Sequence, residues 1–354
     1  MRQEQEPAGT GVREVAPDVL RLQLPIAMPG LGHVNCYAIP DARGFTIVDP
    51  GLPGPAAWRS LRDRLRTASI RMKDVHTVVV THVHPDHCGA AGRLAKEADA
   101  ALVTHSAFRV FWAATEPVDG CDDEIYDVDP DDLPDSNPFL GPTPWGRHSF
   151  EPVARRRLLL RIARLLPLNW FVPPRPTRRV RDGETLELAG RPWTAVHTPG
   201  HTLEHLCLYD PAHGTFLSGD HVLPTITPHI SGLGSGRDPL KNYVESLDRV
   251  AGLPGVSTVL PAHGHPFTDL GQRVNSIKVH HVERMERLRE ASLSLGTATV
   301  EELSHELFRP AVWGAMAESE TYAHLEHLRL AGEAESFPGP DGRLRYRVMA
   351  APAA

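Results

Sequence analysis

The chain has 354 residues, 41% hydrophobic and 23% charged, with a net charge of −7. That is apolar material for a packed core and length for about two domains, so a disordered chain is excluded. The acidic balance argues against a dedicated nucleic-acid binder, which carries a basic excess.

No apolar run is long enough to span a bilayer. The N-terminal segment is polar and lacks the apolar stretch of a secretory signal, so the chain is read as cytoplasmic. The four cysteines (Cys36, Cys88, Cys121 and Cys207) are too scattered for a disulfide framework or an all-cysteine zinc site. Twenty histidines are the unusual count, and the question is whether some cluster at metal-ligand spacing.

Residues 18–49 read as three short strands, VLRLQLPI, HVNCYAIP and GFTIVDPG, punctuated by Pro and Gly. Pro53 is expected to open a helix over 53–67, with Trp58, Leu61 and Leu65 at core spacing. A β-branched strand follows at 75–80, then the loop THVHPDHCG, a helix at 90–97, a strand at 101–104 and a further helix from Ser106. Positions 115–180 break this rhythm. Acidic residues crowd 116–135, arginines crowd 154–181, and eleven prolines lie between 117 and 176. The segment reads as a helical insertion or lid. Within it, VARRRLLLRIARLLPL is amphipathic: Arg157, Arg161 and Arg164 share one face, and Leu158, Ile162, Leu165 and Leu166 the other. The arginine face suits substrate phosphates, and equally suits plain solvent exposure. Trp145, Phe150, Trp170 and Phe171 are candidate walls for an acyl channel.

Strands resume as RRVRD, ETLELAG, RPWTAVHT, HLCLYD and GTFLSGD, followed by a helix at 239–250 and the strand STVLP. Strands and helices thus alternate twice, and each half ends in a His- or Asp-bearing loop. This predicts a two-sheet α/β sandwich with its site on one edge. The last section differs: a long helix over 269–294, helices at 300–308 and 318–331, and a hairpin around Gly-Pro-Asp-Gly. That order outlines a winged helix. A boundary near 269 divides the chain into 1–268 and 269–354.

The chemistry sits in Thr81-His82-Val83-His84-Pro85-Asp86-His87. Imidazoles and carboxylates are good ligands for zinc and similar divalent ions. In extended backbone, i and i+2 side chains point the same way, so His82 and His84 can grip one ion. A turn through Pro85 then lets Asp86 and His87 face a second. Paired ions need a bridging carboxylate and more imidazoles. His197-Thr198-Pro199-Gly200-His201, Ser218-Gly219-Asp220 and Pro261-Ala262-His263-Gly264 each put a ligand type at a strand end.

This ordered set resembles the metallo-beta-lactamase-fold hydrolases: Asp49 in VDPG, His82-x-His84-x-Asp86-His87, His201 in TPGHT, Asp220 in SGD and His263 in PAHG. The resemblance covers about residues 15–268 and implies an αββα sandwich. It implies that His82, His84, His201 and a bridging Asp220 hold one ion, and Asp86, His87, His263 and Asp220 the other. It places Asp86 and Asp220 at the reacting centre and Asp49 behind the ligands, holding their loop. Zinc is the first choice for the two ions, with iron or manganese as alternatives. His197 rivals His201, although the family pattern puts the ligand after Pro-Gly. His221 and His265 read as pocket-lining residues, with His221 a candidate substrate contact. His280 and His281 read as surface residues, and Cys88 as a packing residue.

The implied reaction is hydrolysis by water acidified between two cations. Asp at 86 is similar to the glyoxalase II, lactonase and nuclease branches. The lactonases carry a Tyr three residues after the bridging Asp, where this chain has Leu223. The stretch GDHVLPTITPHIS, together with the winged C-terminal part, resembles a glyoxalase II-like subgroup. A mitochondrial beta-lactamase-like endoribonuclease shares the two-part layout. Thioester or ester hydrolysis of a small acyl substrate, CoA- or glutathione-linked, is therefore the first reading. A metal-dependent endoribonuclease and a lactonase are the alternatives. A DNA-binding regulator is disfavoured, because the third C-terminal helix carries Arg329 against Glu318, Glu320 and Glu326. The C-terminal part is read as a structural or homodimerising module covering the site edge.

Overall fold

The computed structural model describes residues 1–28, 30–110, 142–146 and 172–349, together with Val128 and Asp132. Among these residues the chain opens as an antiparallel meander: β1 (Val12–Ala16), β2 (Val19–Met28), β3 (Leu31–Asp41) and β4 (Gly44–Val48). Helix α1 (Pro55–Thr67) then crosses to β5 (Val75–Val79), which pairs parallel to β4. A short helix α2 (Pro85–Cys88), α3 (Ala91–Ala98), β6 (Ala101–His105) and β7 (Arg178–Val180) complete a seven-stranded sheet in sequential order. The second sheet holds β8 (Thr185–Leu188), β9 (Arg191–His197), β10 (Leu206–Asp210), β11 (Thr215–Gly219) and β12 (Thr258–Pro261). Its last two strands are parallel, and α4 (Pro239–Ala251) is the crossover between them.

Alternating side chains build the layers. On β3, Val34, Cys36 and Ala38 face α1 and α3, while Tyr37 and Ile39 face the other sheet. On β10, Leu206 and Leu208 point into that inter-sheet core, and Cys207 and Tyr209 point toward α4. Trp193 and Leu208 sit fully buried between the sheets. The result is the αββα sandwich.

The C-terminal part is helix, strand, two helices and a hairpin: α5 (Leu270–Leu295), β13 (Ala298–Thr299), α6 (Val300–Leu307), α7 (Ala315–Leu330), β14 (Ala334–Pro338) and β15 (Leu344–Val348). Thr299 caps α6 reciprocally with Glu302: its hydroxyl accepts from the Glu302 amide, and the Glu302 carboxylate accepts from the Thr299 amide. Leu288, Val300, Leu303, Leu325, Leu328 and Tyr346 form a core of their own. Helix α5 serves both cores, because Leu270, Val274 and Ile277 pack under the second sheet and Leu288 and Ala291 pack in the C-terminal cluster. Among the described residues, no helix is long and apolar enough to cross a membrane.

Several expectations are corrected. Helix α1 begins at Pro55, not Pro53, since Gly54 takes the cap with φ 106°. No helix begins at Ser106. Its amide donates to the Val180 carbonyl, and the Arg179 guanidinium donates to the Ser106 and Phe108 carbonyls, which ties this stretch to β7 instead. His281 is not a surface residue; it is 1% exposed against His324 of α7. Trp145, expected as a channel wall, is buried in the C-terminal core among the described residues. Its indole donates to Glu318 at 3.0 Å and packs near Tyr322 in the C-terminal core. The helical insertion, its Arg157, Arg161 and Arg164 face, Phe150, Trp170 and Phe171 lie outside the described residues.

This packing sets unequal costs for truncation. Leu208→Ala removes a fully buried side chain from the inter-sheet core and should destabilise by roughly 2–5 kcal/mol. Val279→Ala, at a position 48% exposed, should stay within about 0.5 kcal/mol. Urea unfolding of the metal-free chain measures both, and equal costs would contradict the layer assignment.

Candidate metal centre

Every candidate ligand follows the end of a strand. After β5 the chain continues through Val80 and Thr81, whose carbonyl accepts from the Leu206 amide of β10 at 2.8 Å. His84 caps α2, and Pro85 in its first turn sets the backbone that presents Asp86 and His87. His201 lies between β9 and β10, Asp220 follows β11, and His263 follows β12. Gly219 turns the chain with φ 52°, and a Cβ there would fall 2.7 Å from His205 Nε2. The tight approach requires glycine before Asp220.

Two groups result. His82, His84, His201 and Asp220 each offer an atom within 4.8 Å of the others, and so do Asp86, His87 and His263. Asp220 reaches toward both: its Oδ2 lies 3.6 Å from His201 Nε2 and 3.5 Å from His87 Nε2, and its Oδ1 lies 3.3 Å from His263 Nε2.

The partners behind the rings fix their tautomers. Asp49 accepts from the Thr81 amide at 2.9 Å, the Thr81 hydroxyl at 2.7 Å and His87 Nδ1 at 2.8 Å. The Thr81 oxygen, its proton given to Asp49, faces His82 Nδ1 at 3.0 Å as acceptor. His201 Nδ1 donates to the His229 carbonyl at 2.7 Å, and His263 Nδ1 to the His33 carbonyl at 2.6 Å. Each of these four rings, when neutral, therefore turns an Nε2 lone pair inward. His84 Nδ1 lies 3.0 Å from both His82 Nε2 and His201 Nε2, and one proton cannot serve both. His87 Nε2, His263 Nε2 and Asp220 Oδ1 are buried with no hydrogen-bond partner. Converging lone pairs and orphaned acceptors are costly unless a cation fills the space. Imidazole nitrogens and carboxylate oxygens suit a divalent transition metal, so the residues present fit such ions.

The electrostatics agree. Burial, then neighbouring imidazoles, drive His82 and His84 well below the usual histidine range, so both are neutral donors. Burial opposes charge on Asp220, yet His263 and His87 outweigh it and hold the carboxyl well below its ordinary range. Burial also opposes charge on His87, but Asp220, Asp86 and Asp49 carry it upward. Asp220 thus demands positive charge beside it.

Other expected residues fall elsewhere. His197 belongs to neither group; its Nε2 donates to the Leu203 carbonyl at 2.7 Å, and its ring stacks on His105. His221 is fully buried, edge-on to Tyr243, with burial lowering its pKa to about 3. His265 pairs with Glu6 at 2.9 Å. Cys88 is buried with its thiol donating to the Val83 carbonyl. Leu223 is 2% exposed.

Three supports were missed in the sequence. His205 accepts the Asp220 amide on Nε2 at 3.1 Å and donates from Nδ1 to Thr198 at 2.7 Å. Glu204 accepts the Val83 amide at 2.8 Å, and burial raises its pKa to about 7. His33 accepts the Gly264 amide at 3.1 Å. The only signal for the first two was their place in GHTLEHL beside His201.

The sequence profile of the metallo-beta-lactamase superfamily matches residues 29–263. The chain belongs to the metallo-beta-lactamase superfamily. It is 26% identical over 320 residues to a probable metallo-hydrolase of Bacillus subtilis, YqjP, covering 88% of this chain and 92% of that one. A metallo-beta-lactamase family protein of Thermus thermophilus is similar in structure, with TM-score 0.71 and 29% identity over 95% of this chain and 100% of that one. An atrochrysone carboxyl ACP thioesterase of Aspergillus novofumigatus is 29% identical over 141 residues, 37% of this chain and 41% of its own.

The Asp49 contacts predict a defect in binding rather than folding. Asp49→Asn loses the charged acceptor behind His87 and Thr81, and metal affinity should fall about 10–100-fold. A chelator-competition titration checks this, and wild-type affinity would contradict it.

Proposed function

We propose that the chain is a binuclear metal-dependent hydrolase of acyl thioesters or esters, of the glyoxalase II-like type. The observation that carries this reading is the pair of ligand groups sharing Asp220. His82, His84 and His201 would hold one ion, Asp86, His87 and His263 the other, and Asp220 would bridge them. When bound, ions of the zinc type supply Lewis acidity that acidifies water and polarises the scissile carbonyl.

The chain's own residues do the rest. Asp49, Thr81 and the His33 and His229 carbonyls keep the imidazoles in the donor tautomer. His205 anchors the Asp220 main chain, so the bridging carboxylate is fixed before substrate arrives. Leu223 offers no proton to a leaving alkoxide at the position where the lactonases carry Tyr. A thiolate leaves without one, which favours thioesters over oxygen esters and lactones. The partial likeness to a thioesterase supports the same class. Residues 269–354 are read as a winged-helix-like module beside the catalytic part, on their helix, strand, helix, helix, hairpin order.

The test is a matched substrate panel on zinc-reconstituted protein carrying about two ions per chain. An acyl thioester should turn over faster than the oxygen ester and homoserine lactone with the same acyl group. Equal or faster lactone turnover would overturn the ranking. RNA cleavage that survives repurification, with the thioester untouched, would overturn the class.

A further inference from the structure

His201 enters the first group from a loop, and what aims it is the His229 carbonyl, 2.7 Å from its Nδ1. That carbonyl belongs to residues 227–231, which form neither helix nor strand. Its position is therefore set by what grips the segment. The His229 ring donates from Nδ1 to Glu320 at 3.1 Å. Glu320 accepts from the Arg284 guanidinium on its other oxygen. The Ser319 hydroxyl accepts from the Gly232 amide at 3.1 Å and lies 3.3 Å from the Ser231 hydroxyl. A Cβ at Gly232 would fall 2.6 Å from the Tyr322 ring, so the segment lies flush against α7.

All of these gripping groups sit on α5 or α7, beyond residues 29–263 that carry the superfamily match. The clamp is dry. Glu320 is 8% exposed, and the Arg284 guanidinium packs over the Phe308 ring at 4.6 Å. Glu320 also gives its main-chain carbonyl to His324 Nδ1 at 2.7 Å, and His324 Nε2 meets His281 of α5 at 3.0 Å. A mostly buried ion pair with further partners on both sides favours one geometry, and breaking one side of it is costly.

We infer that Glu320, clamped by Arg284, is a positioning residue for the metal centre: through His229 it sets the carbonyl that orients His201. This rests on the reading of His201 as a ligand. The C-terminal helices thereby act on metal affinity without donating a ligand.

The experiment titrates Zn2+ into the full chain against a chromophoric chelator, with thermal unfolding in parallel. His229→Ala keeps the carbonyl and removes its grip. Affinity for one of the two ions should weaken about tenfold or more, with the fold retained. His229→Asn, whose amide can donate to Glu320, should recover most of that loss. Where His229→Ala fails to fold, Glu320→Gln, which keeps an acceptor without the charge, is read the same way. His201→Ala is the reference. If it weakens binding while His229→Ala and Glu320→Gln titrate as wild type, the clamp is overturned and the ligand reading stands. If His201→Ala itself leaves both affinities unchanged, the ligand reading and the clamp fall together.

Discussion

The structure turns on one buried carboxylate. Asp220 sits at the end of β11 within 3.8 Å of imidazole nitrogens from His82, His87, His201 and His263. A carboxylate out of water is costly unless positive charge or donors surround it. The chain supplies few donors there. Rings on the ends of β5, β9 and β12 instead turn ring nitrogens inward, and the partners behind them forbid the opposite tautomer. That arrangement commits the edge of the sandwich to cations. The αββα packing exists in part to bring these strand ends to one edge.

The edge is stitched so that the ends cannot drift. The Asn35 amide donates to Ala262 at 2.6 Å, and the Asn35 side chain donates to Pro261 and Gly264. The Tyr37 hydroxyl donates to Pro261 at 2.7 Å. These bonds tie β3 of the first sheet to the loop carrying His263. The N-terminal turn adds a strap. Glu4, fully buried, accepts from the Thr225 and Ile226 amides and the Thr225 hydroxyl. The Glu6 carbonyl accepts from His33 Nδ1, whose other nitrogen holds the Gly264 amide. Both faces of the centre are thus supported from far away in sequence, one by the strap and one by α5 and α7.

Much of this was legible in the sequence, for a physical reason. Ligand spacing and strand alternation are local, so His82-x-His84-x-Asp86-His87 after a β-branched run announces itself. Positive-φ turns also leave local marks, as Gly219 does before Asp220. What stayed hidden acts across long separations. His33 and Glu320 act on the centre through backbone groups, and nothing near them in sequence says so. His281 looked exposed because its helix is mostly polar, and His324 of α7 and Tyr243 of α4, packed against it, bury the ring. The helix expected from Ser106 failed because Arg179, some seventy residues on, takes its carbonyls. Tertiary hydrogen bonding outweighed local preference there.

The central claim is that Asp220 lies between two cations. The most direct measurement is anomalous diffraction at the zinc edge from crystals of the zinc-loaded chain. Two peaks about 3.5–4 Å apart, one among His82, His84 and His201 and the other among Asp86, His87 and His263, with Asp220 touching both, are the predicted result. A single peak, or peaks away from Asp220, would contradict it.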